Sequence, residues 1–299
     1  MSAQSYADLF FGSFSGYWQY LQSEVLFSYT YKPWYENYFY WLIFISLFFW
    51  SLEIIFPWRK NQSIIRKDFW LDAFYMFFNF FILSLIGYAA ISNVAVQFFH
   101  DTLRALGINN NLAVEINGLS MGIKIVFAFV LRDFIQWCTH VTLHRVSWLW
   151  EFHKVHHSVK EMGFAAHLRF HWMEKFIYNF IQYVPMAILG FGIMEFFAAH
   201  IIALSIGHFS HSNVNVPLGP LKYILNNPQM HIWHHARKQP NKYGSNFGLS
   251  LSIWDYLFKT AHIPSDGCNI DLGFDGDADF PKKAGGQLIW PIGKRKRKG

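Results

Sequence analysis

The sequence predicts an all-α chain in which polytopic membrane helices carry a helical, histidine-rich core on their cytosolic side. Three observations lead there. Of 299 residues, 53% are hydrophobic and 20% aromatic, while only 15% are charged, against about 25% charged in a typical soluble protein. Long uncharged runs have the length of membrane spans. The 15 histidines fall largely in clusters at helical spacing. This composition excludes a disordered chain, a collagen, a coiled coil and an ordinary soluble enzyme. Cys138 and Cys268, the two cysteines, exclude a disulfide scaffold. Mean hydropathy is only +0.15, so a polar part accompanies the apolar one.

The first 36 residues are aromatic and lack the basic start and apolar core of a secretory signal; they read as an interfacial segment. Asn37 to Leu52 carries no charge and continues apolar past Glu53 to Phe56. Ala73 to Phe99 is an uncharged run of 27 residues. Both fit the roughly 20 residues that a bilayer requires. Leu119 to Cys138 is interrupted by Lys124, Arg132 and Asp133, and reads as a helix that starts in lipid and ends in a polar core. Phe176 to His211 holds one acid, Glu195, and is broken by Pro185, Gly190 and Gly192, as a hairpin of two helices would be. The expectation is four to five spans, or four plus a re-entrant hairpin.

Charge orients these spans, because Lys and Arg favour the cytoplasmic side. Arg59, Lys60, Arg66 and Lys67 follow the first span, and Lys294, Arg295, Lys296, Arg297 and Lys298 end the chain. Placing both in the cytoplasm puts every histidine cluster on that side too. The sequence pI of about 9.1 then reflects juxtamembrane base facing anionic lipid and no nucleic-acid partner. Asp275, Asp277 and Asp279 resemble the start of a calcium loop, but the glycine and distal glutamate of that loop are missing.

The histidine pattern carries the chemistry. His140 and His144 are four apart. His153, His156 and His157 form H-x-x-H-H, as do His231, His234 and His235. At this histidine content, H-x-x-H-H arises by chance about 0.04 times in such a chain by simple template counting; it occurs twice. Residues at i, i+3 and i+4 share a helix face, so each motif presents two or three imidazoles to one side. Together they supply eight nitrogen ligands, and His208 and His211 add one or two. A single zinc uses four positions; two metals at four to five histidines each match the number. Imidazole suits iron, zinc and copper alike. Asp133, Gln136, His140 and His144 lie on one helix face, which suggests a carboxylate orienting an imidazole. His167 and His171, with Arg169 between them and Glu174 after, read as a salt-bridged structural cluster. His200 reads as a satisfied core histidine, His100 and His262 as loop or interface residues, and Cys138 as a packed thiol.

These words resemble the fatty acid hydroxylase/sterol desaturase superfamily of integral-membrane di-iron oxygenases. DFIQWCTHVTLH is similar to its first histidine box, LWEFHKVHHSV to its second, and LRFHWME to its R-x-H-x-x-E segment at Arg169, His171 and Glu174. HFSHSN resembles the histidine before the last box; PQMHIWHH and SNFGLSLSIWDYLFKT resemble that box and the family ending. The likeness covers about 130–260. Lys259 stands where a glycine is usual, and Val141 where a basic residue often follows the first histidine.

The resemblance implies a membrane anchor with a cytosolic di-iron site of two Fe ions, with zinc as an alternative occupant in a purified sample. It implies the ligands His140, His144, His153, His156, His157, His208, His211, His231, His234 and His235, with Asp133, Glu174, Asn246 and Asp255 around them. The expected reaction is O2-dependent hydroxylation of a lipid C–H bond in a fatty-acyl, sterol or ether-lipid substrate. A redox metal must carry that chemistry, while the protein positions the substrate. No Rossmann or flavin motif is evident, so electrons are expected from a separate cytochrome b5-like or ferredoxin-like donor. Desaturation at the same site is the nearest alternative, and a zinc-dependent membrane hydrolase a more distant one. The expected division is 1–36 interfacial, 37–129 transmembrane, 130–262 catalytic with the hairpin 176–211, and 263–299 a basic tail. The membrane is the inner membrane of a bacterium or the endoplasmic reticulum of a eukaryote.

Overall fold

The structure, a computed structural model, describes residues 5–26, 30, 33–83, 92–107, 116 and 118–292. Among these the chain is helical and forms no strand; pairing is limited to isolated bridges such as Leu225 with Leu251. The principal helices are α1 (Tyr6–Val25), α2 (Tyr38–Ile55), α3 (Phe69–Phe78), α4 (Ser92–Ala105), α5 (Met121–Arg145), α6 (Ser147–His157), α7 (Trp172–Ile188), α8 (Ile193–His211), α9 (Pro228–His234), α10 (Ile253–Leu257) and α11 (Ala284–Leu288). They divide into two compact units. One contains residues 1–45, 80–136 and 175–204; the other contains 46–79, 137–174 and 205–299. The basic run 294–298 lies outside the described residues.

In the first unit, α1 begins in a capping box. Ser5 Oγ accepts from the Asp8 amide at 3.1 Å, and the Asp8 carboxylate accepts from the Ser5 amide at 3.2 Å, which satisfies donors that a helix start leaves open. Asn37 begins α2 in the same way: its Oδ1 accepts from the Tyr40 amide at 3.0 Å. Among the described residues α2 is the one helix long and apolar enough to cross a membrane.

The charges that interrupt the segment 119–138 find partners. Lys124 pairs with Glu195 at 2.5 Å, so the single acid of the hairpin meets a cation on α5. Arg132 donates to His200 Nδ1 at 3.2 Å, and His200 Nε2 lies 3.1 Å from the Tyr38 hydroxyl, which makes His200 the satisfied core histidine that was expected. The hairpin turns at 189–192, and Pro185 stays inside α7. The break belongs to Gly190, at φ 87°. The Phe191 amide reaches back to Met186 O and the Gly190 amide to Ala187 O, both at 3.1 Å. That paired geometry closes a helix at a left-handed residue, which glycine adopts without a Cβ penalty. Proline removes one helical hydrogen bond and need not end the helix.

The second unit holds the histidine motifs. Its charged core is a buried cluster: Arg66 pairs with Asp72, and Arg169 donates to Asp72 at 3.2 Å and to Ser158 Oγ at 2.8 Å. Ser158 Oγ in turn donates to Val155 O at 2.7 Å, so this cluster ties down the C-terminal end of α6. Buried charges are tolerated only when paired and hydrogen-bonded in this way. Asn227 caps α9, accepting from the Met230 amide at 2.8 Å, and Pro228 fills the first helical position, where its missing N–H costs nothing. Residues 263–292, expected as part of a basic tail, fold against this unit: Phe274 and Phe280 are buried with Tyr75 and Val155. Within the acidic run, Asp277 pairs with Lys160 and with Arg237.

Candidate metal centre

The three histidine motifs and the end of α8 meet within the second unit. Two groups form, each with its ligand atoms within 4.8 Å of one another. One contains His140, His144, His153, His157 and His234; the other contains His156, His211, His231 and His235. The groups adjoin, with the His157 and His235 rings stacked at 4.6 Å. Helical spacing explains the sorting. On α5, His140 and His144 are one turn apart and serve the first group. On α6, His153 and His157 also serve it, while His156 is turned towards the second. On α9, His231 goes to the second group and His234 to the first, and His235 just past the helix end returns to the second.

Within each group the Nε2 atoms face each other. His140 Nε2 is 3.1 Å from His153 Nε2, and His157 Nε2 is 3.1 Å from His144 Nε2. In the second group His231 Nε2 is 3.0 Å from His211 Nε2 and 3.2 Å from His235 Nε2. Several Nδ1 atoms are occupied elsewhere. His140 Nδ1 reaches Phe247 O at 2.7 Å, His234 Nδ1 reaches Ser245 O at 2.8 Å, and His144 bonds the Tyr243 backbone. The loop 243–247, in which Gly244 and Asn246 have positive φ, thus turns the backbone of residues 243, 245 and 247 to three histidines of the first group. His153 Nδ1 donates to Glu174 Oε1 at 2.8 Å, with both side chains fully buried. His211 Nδ1 donates to Gly207 O at 2.8 Å.

These bonds put the proton on Nδ1 and leave Nε2 as a lone pair. A metal-bound histidine characteristically spends its second nitrogen on such a carbonyl or carboxylate. His234 Nε2 is sealed from solvent without a hydrogen-bond partner, which in a buried polar atom calls for an explanation. Convergent lone pairs with an orphaned Nε2 among them fit a cation in each group. Burial reinforces this by keeping the rings neutral. His140 is pushed down to about 4. His144, His153, His156, His157, His231, His234 and His235 are held well below the ordinary imidazole value, first by burial and then by one another's charge.

The residues expected around the ligands have distinct placements. Glu174 orients His153. Asp255 accepts from the Phe247 and Gly248 amides at 2.9 and 2.7 Å, from Thr260 Oγ1 at 2.5 Å and from Trp137 Nε1 at 3.1 Å, so it shapes the loop that receives His140. Burial raises its carboxyl against those donors. Asn246, at φ 54°, donates to Met230 O and His262 O and accepts from the His262 amide, pinning the same loop to α9. Asp133 is buried in the other unit.

Two expectations are corrected. His208 joins neither group. Its Nδ1 pairs with His167 Nδ1 at 2.9 Å and its Nε2 with Ser46 Oγ at 3.1 Å, because three residues before His211 it projects from a different part of the α8 face. His167 and His171 do not form a salt-bridged cluster. Arg169 turns to Asp72 and Ser158, Glu174 turns to His153, and His171 Nε2 donates to Leu288 O at 3.1 Å. Sequence reasoning also missed the carbonyl series 243–247 and the part of Asp72, since neither backbone acceptors nor a distant acid leave a local pattern.

Comparison with known proteins agrees with this geometry. The fatty acid hydroxylase family matches residues 125–260, which include all nine converging histidines. The ornithine lipid hydroxylase OlsE of Rhizobium tropici is 31% identical over 178 residues, 60% of this chain and 53% of that protein. An alkylglycerol monooxygenase of Xenopus tropicalis is 35% identical over 134 residues, 44% of this chain and 29% of that protein. Cholesterol 25-hydroxylase of Homo sapiens is 25% identical over 146 residues, 47% of this chain and 53% of that protein. The chain thus spans about half or less of the length of these relatives. No solved structure matches. Residues 125–260, with their two H-x-x-H-H motifs and the H-x-x-x-H before them, thus match the fatty acid hydroxylase family, and similarity to lipid hydroxylases and monooxygenases supports the wider superfamily.

Proposed function

We propose that the chain is a membrane-bound oxygenase that inserts one atom of O2 into a lipid C–H bond, at a pair of iron ions held by nine histidines. The observation that carries this reading is the convergence of nine buried or half-buried imidazoles into two adjoining Nε2-lined groups. The names of the relatives, hydroxylases and monooxygenases acting on lipids, support the reaction class. The first ion belongs with His140, His144, His153, His157 and His234, and the second with His156, His211, His231 and His235. Bound iron supplies the redox capacity that no side-chain acid or base has. The protein's part is to hold these neutral donors in place, five of them through Glu174 and the carbonyls of Gly207, Tyr243, Ser245 and Phe247. A neutral donor set leaves the ions' positive charge uncompensated, unlike the glutamate-rich sites of soluble four-helix bundles, and so favours attack on a strong bond. The balance is one C–H bond, one O2, two electrons and two protons in, with one hydroxyl group and one water out. The electrons come from a separate carrier. The hydrophobic segment 119–138 and the hairpin 176–211 join α2 in the bilayer, with the converging histidines on the cytoplasmic side; residues 84–91 of the expected span 73–99 lie outside the described residues.

The test is lipid mass spectrometry on host membranes containing the chain, grown under ¹⁸O2. One lipid class is expected to gain one ¹⁸O atom. His153→Ala, present at the same protein level, is expected to give none. Loss of two hydrogens without oxygen would replace hydroxylation by desaturation, and product formed under strict anaerobiosis would refute an oxygenase altogether.

A further inference from the structure

Eight of the nine converging histidines are buried; His144 alone is half-exposed. Its Nε2 faces His157, while its ring bonds the backbone of Tyr243. A Cβ on Gly244 would lie 3.3 Å from His144 Nδ1, so the loop rests directly on this ligand. The Tyr243 side chain points outward and is 43% exposed. Two cations flank its ring: Arg145 from the end of α5, and Lys242, each 5.7 Å from the centroid. Lys238 is exposed on the same loop. Neither 134–150 nor 236–254 contains an aspartate or glutamate, and among the described residues no salt bridge neutralises Arg145, Lys238 or Lys242. Here the interior centre comes within one hydrogen bond of a cationic, aromatic surface.

We propose that Arg145, Lys238, Lys242 and Tyr243 form the docking face for an acidic one-electron carrier protein, whose electron enters the centre through His144. This rests on the oxygenase reading above, which requires two external electrons per turnover. Each reduced carrier is oxidised by one electron, so two dockings supply the pair. Charge complementarity selects the occupant: uncompensated surface cations steer an anionic partner and fix its orientation. A lipid surface fits less well. Thr142, Ser147, Pro240 and Asn241 are the exposed neighbours, and Trp148 is the one large apolar side chain strongly exposed between 140 and 150. Most exposed apolar side chains of this unit lie on other segments, among them Ile55, Phe56, Ile64, Trp70, Leu221 and Leu257.

The experiment uses the full chain in nanodiscs, with a [2Fe–2S] ferredoxin of net negative charge and a cytochrome b5 as probes. Carrier affinity is measured on zinc-loaded protein, which cannot turn over, and carrier oxidation is followed by stopped flow on iron-loaded protein. For the wild type, affinity and rate for at least one carrier should fall steeply as salt rises. Arg145→Glu with Lys242→Glu should lower both at least tenfold at low salt and abolish the salt dependence. Arg145→Lys should keep both, and reduction by dithionite should be equal in all three proteins. Carrier affinity and rate unchanged in the double variant would overturn the proposal. So would a defect that follows the anionic lipid content of the nanodisc and not the carrier, which would assign the patch to lipid headgroups. Iron that dithionite cannot reduce in any variant would overturn the oxygenase reading together with the proposal.

Discussion

Glu174→Gln isolates the contribution of one carboxylate to one metal. Glu174 Oε1 receives His153 Nδ1 at 2.8 Å, with both side chains fully buried, so the bond is not exchanged with bulk solvent. The amide keeps the size and one acceptor but loses the charge. A charge-assisted hydrogen bond is roughly twice as strong as a neutral one, so the loss is about 1–1.5 kcal/mol, or about tenfold in affinity for the ion beside His153. Glu174→Leu removes the acceptor as well and belongs at the upper end of the 10–100-fold range for such partners. The second group draws no ligand orientation from Glu174 and should hold its ion unchanged. Chelator titration followed by elemental analysis should therefore show half of the bound metal leaving at lower chelator concentration, with melting and chromatographic behaviour monitored alongside. Equal retention of both ions in wild type and Glu174→Leu would refute the orienting role. Simultaneous loss of both would refute the division into two groups.

Asp255→Ala leaves two amides, a hydroxyl and an indole without their acceptor, at about 1–3 kcal/mol for each buried donor; a fall of at least about 3 kcal/mol in stability is expected, read by denaturant melts, with chelator sensitivity of the first group rising alongside. His171 is held down to about 4 by burial, below the unfolded value of about 6.5. The unfolded chain therefore binds the proton more tightly. The stabilisation is complete above about pH 6.5 and is lost as pH falls towards 4, by at most about 3 kcal/mol. His171→Gln should flatten the pH dependence of melting over that interval. Gly207→Ala would place a Cβ 2.2 Å from the His167 ring; displacement of that ring should cost about 1–3 kcal/mol and break the contact with His208, visible as a lower melting temperature.

The histidine groups were legible because one helix face encodes its members at fixed spacing. His153, His156 and His157 are close in sequence and must be close in space whatever the fold does. Assignment to one ion or the other was not legible, because a turn of the helix sends His156 away from its neighbours and only packing decides where it lands. His208 failed for the same reason in reverse: its spacing to His211 is right, yet its ring meets His167 and Ser46. The charges that weakened the span at 119–138 could be seen, but not that Lys124 would find Glu195 about 70 residues away. Glycine signalled the hairpin, while Pro185, read as part of the break, lies within α7.

Backbone carbonyls hold four of the nine imidazoles in register. Three of the five histidines in the first group hand a proton to the backbone of residues 243, 245 and 247, in a loop that the positive φ of Gly244 and Asn246 shapes. That loop is itself fixed by Asp255 on the amides of Phe247 and Gly248 and by Asn246 on Met230 O of α9. The ligand-bearing helices come from distant parts of the chain, so no local propensity brings their rings together, and lone pairs 3.0–3.5 Å apart repel one another. An ion that accepts those lone pairs converts the repulsion into attraction, and its binding energy then becomes folding energy for the second unit. The residues assigned to the proposed chemistry and those that a bound metal would stabilise are thus the same, which is why the carboxylate at Glu174 and the loop at 243–247 bear on both.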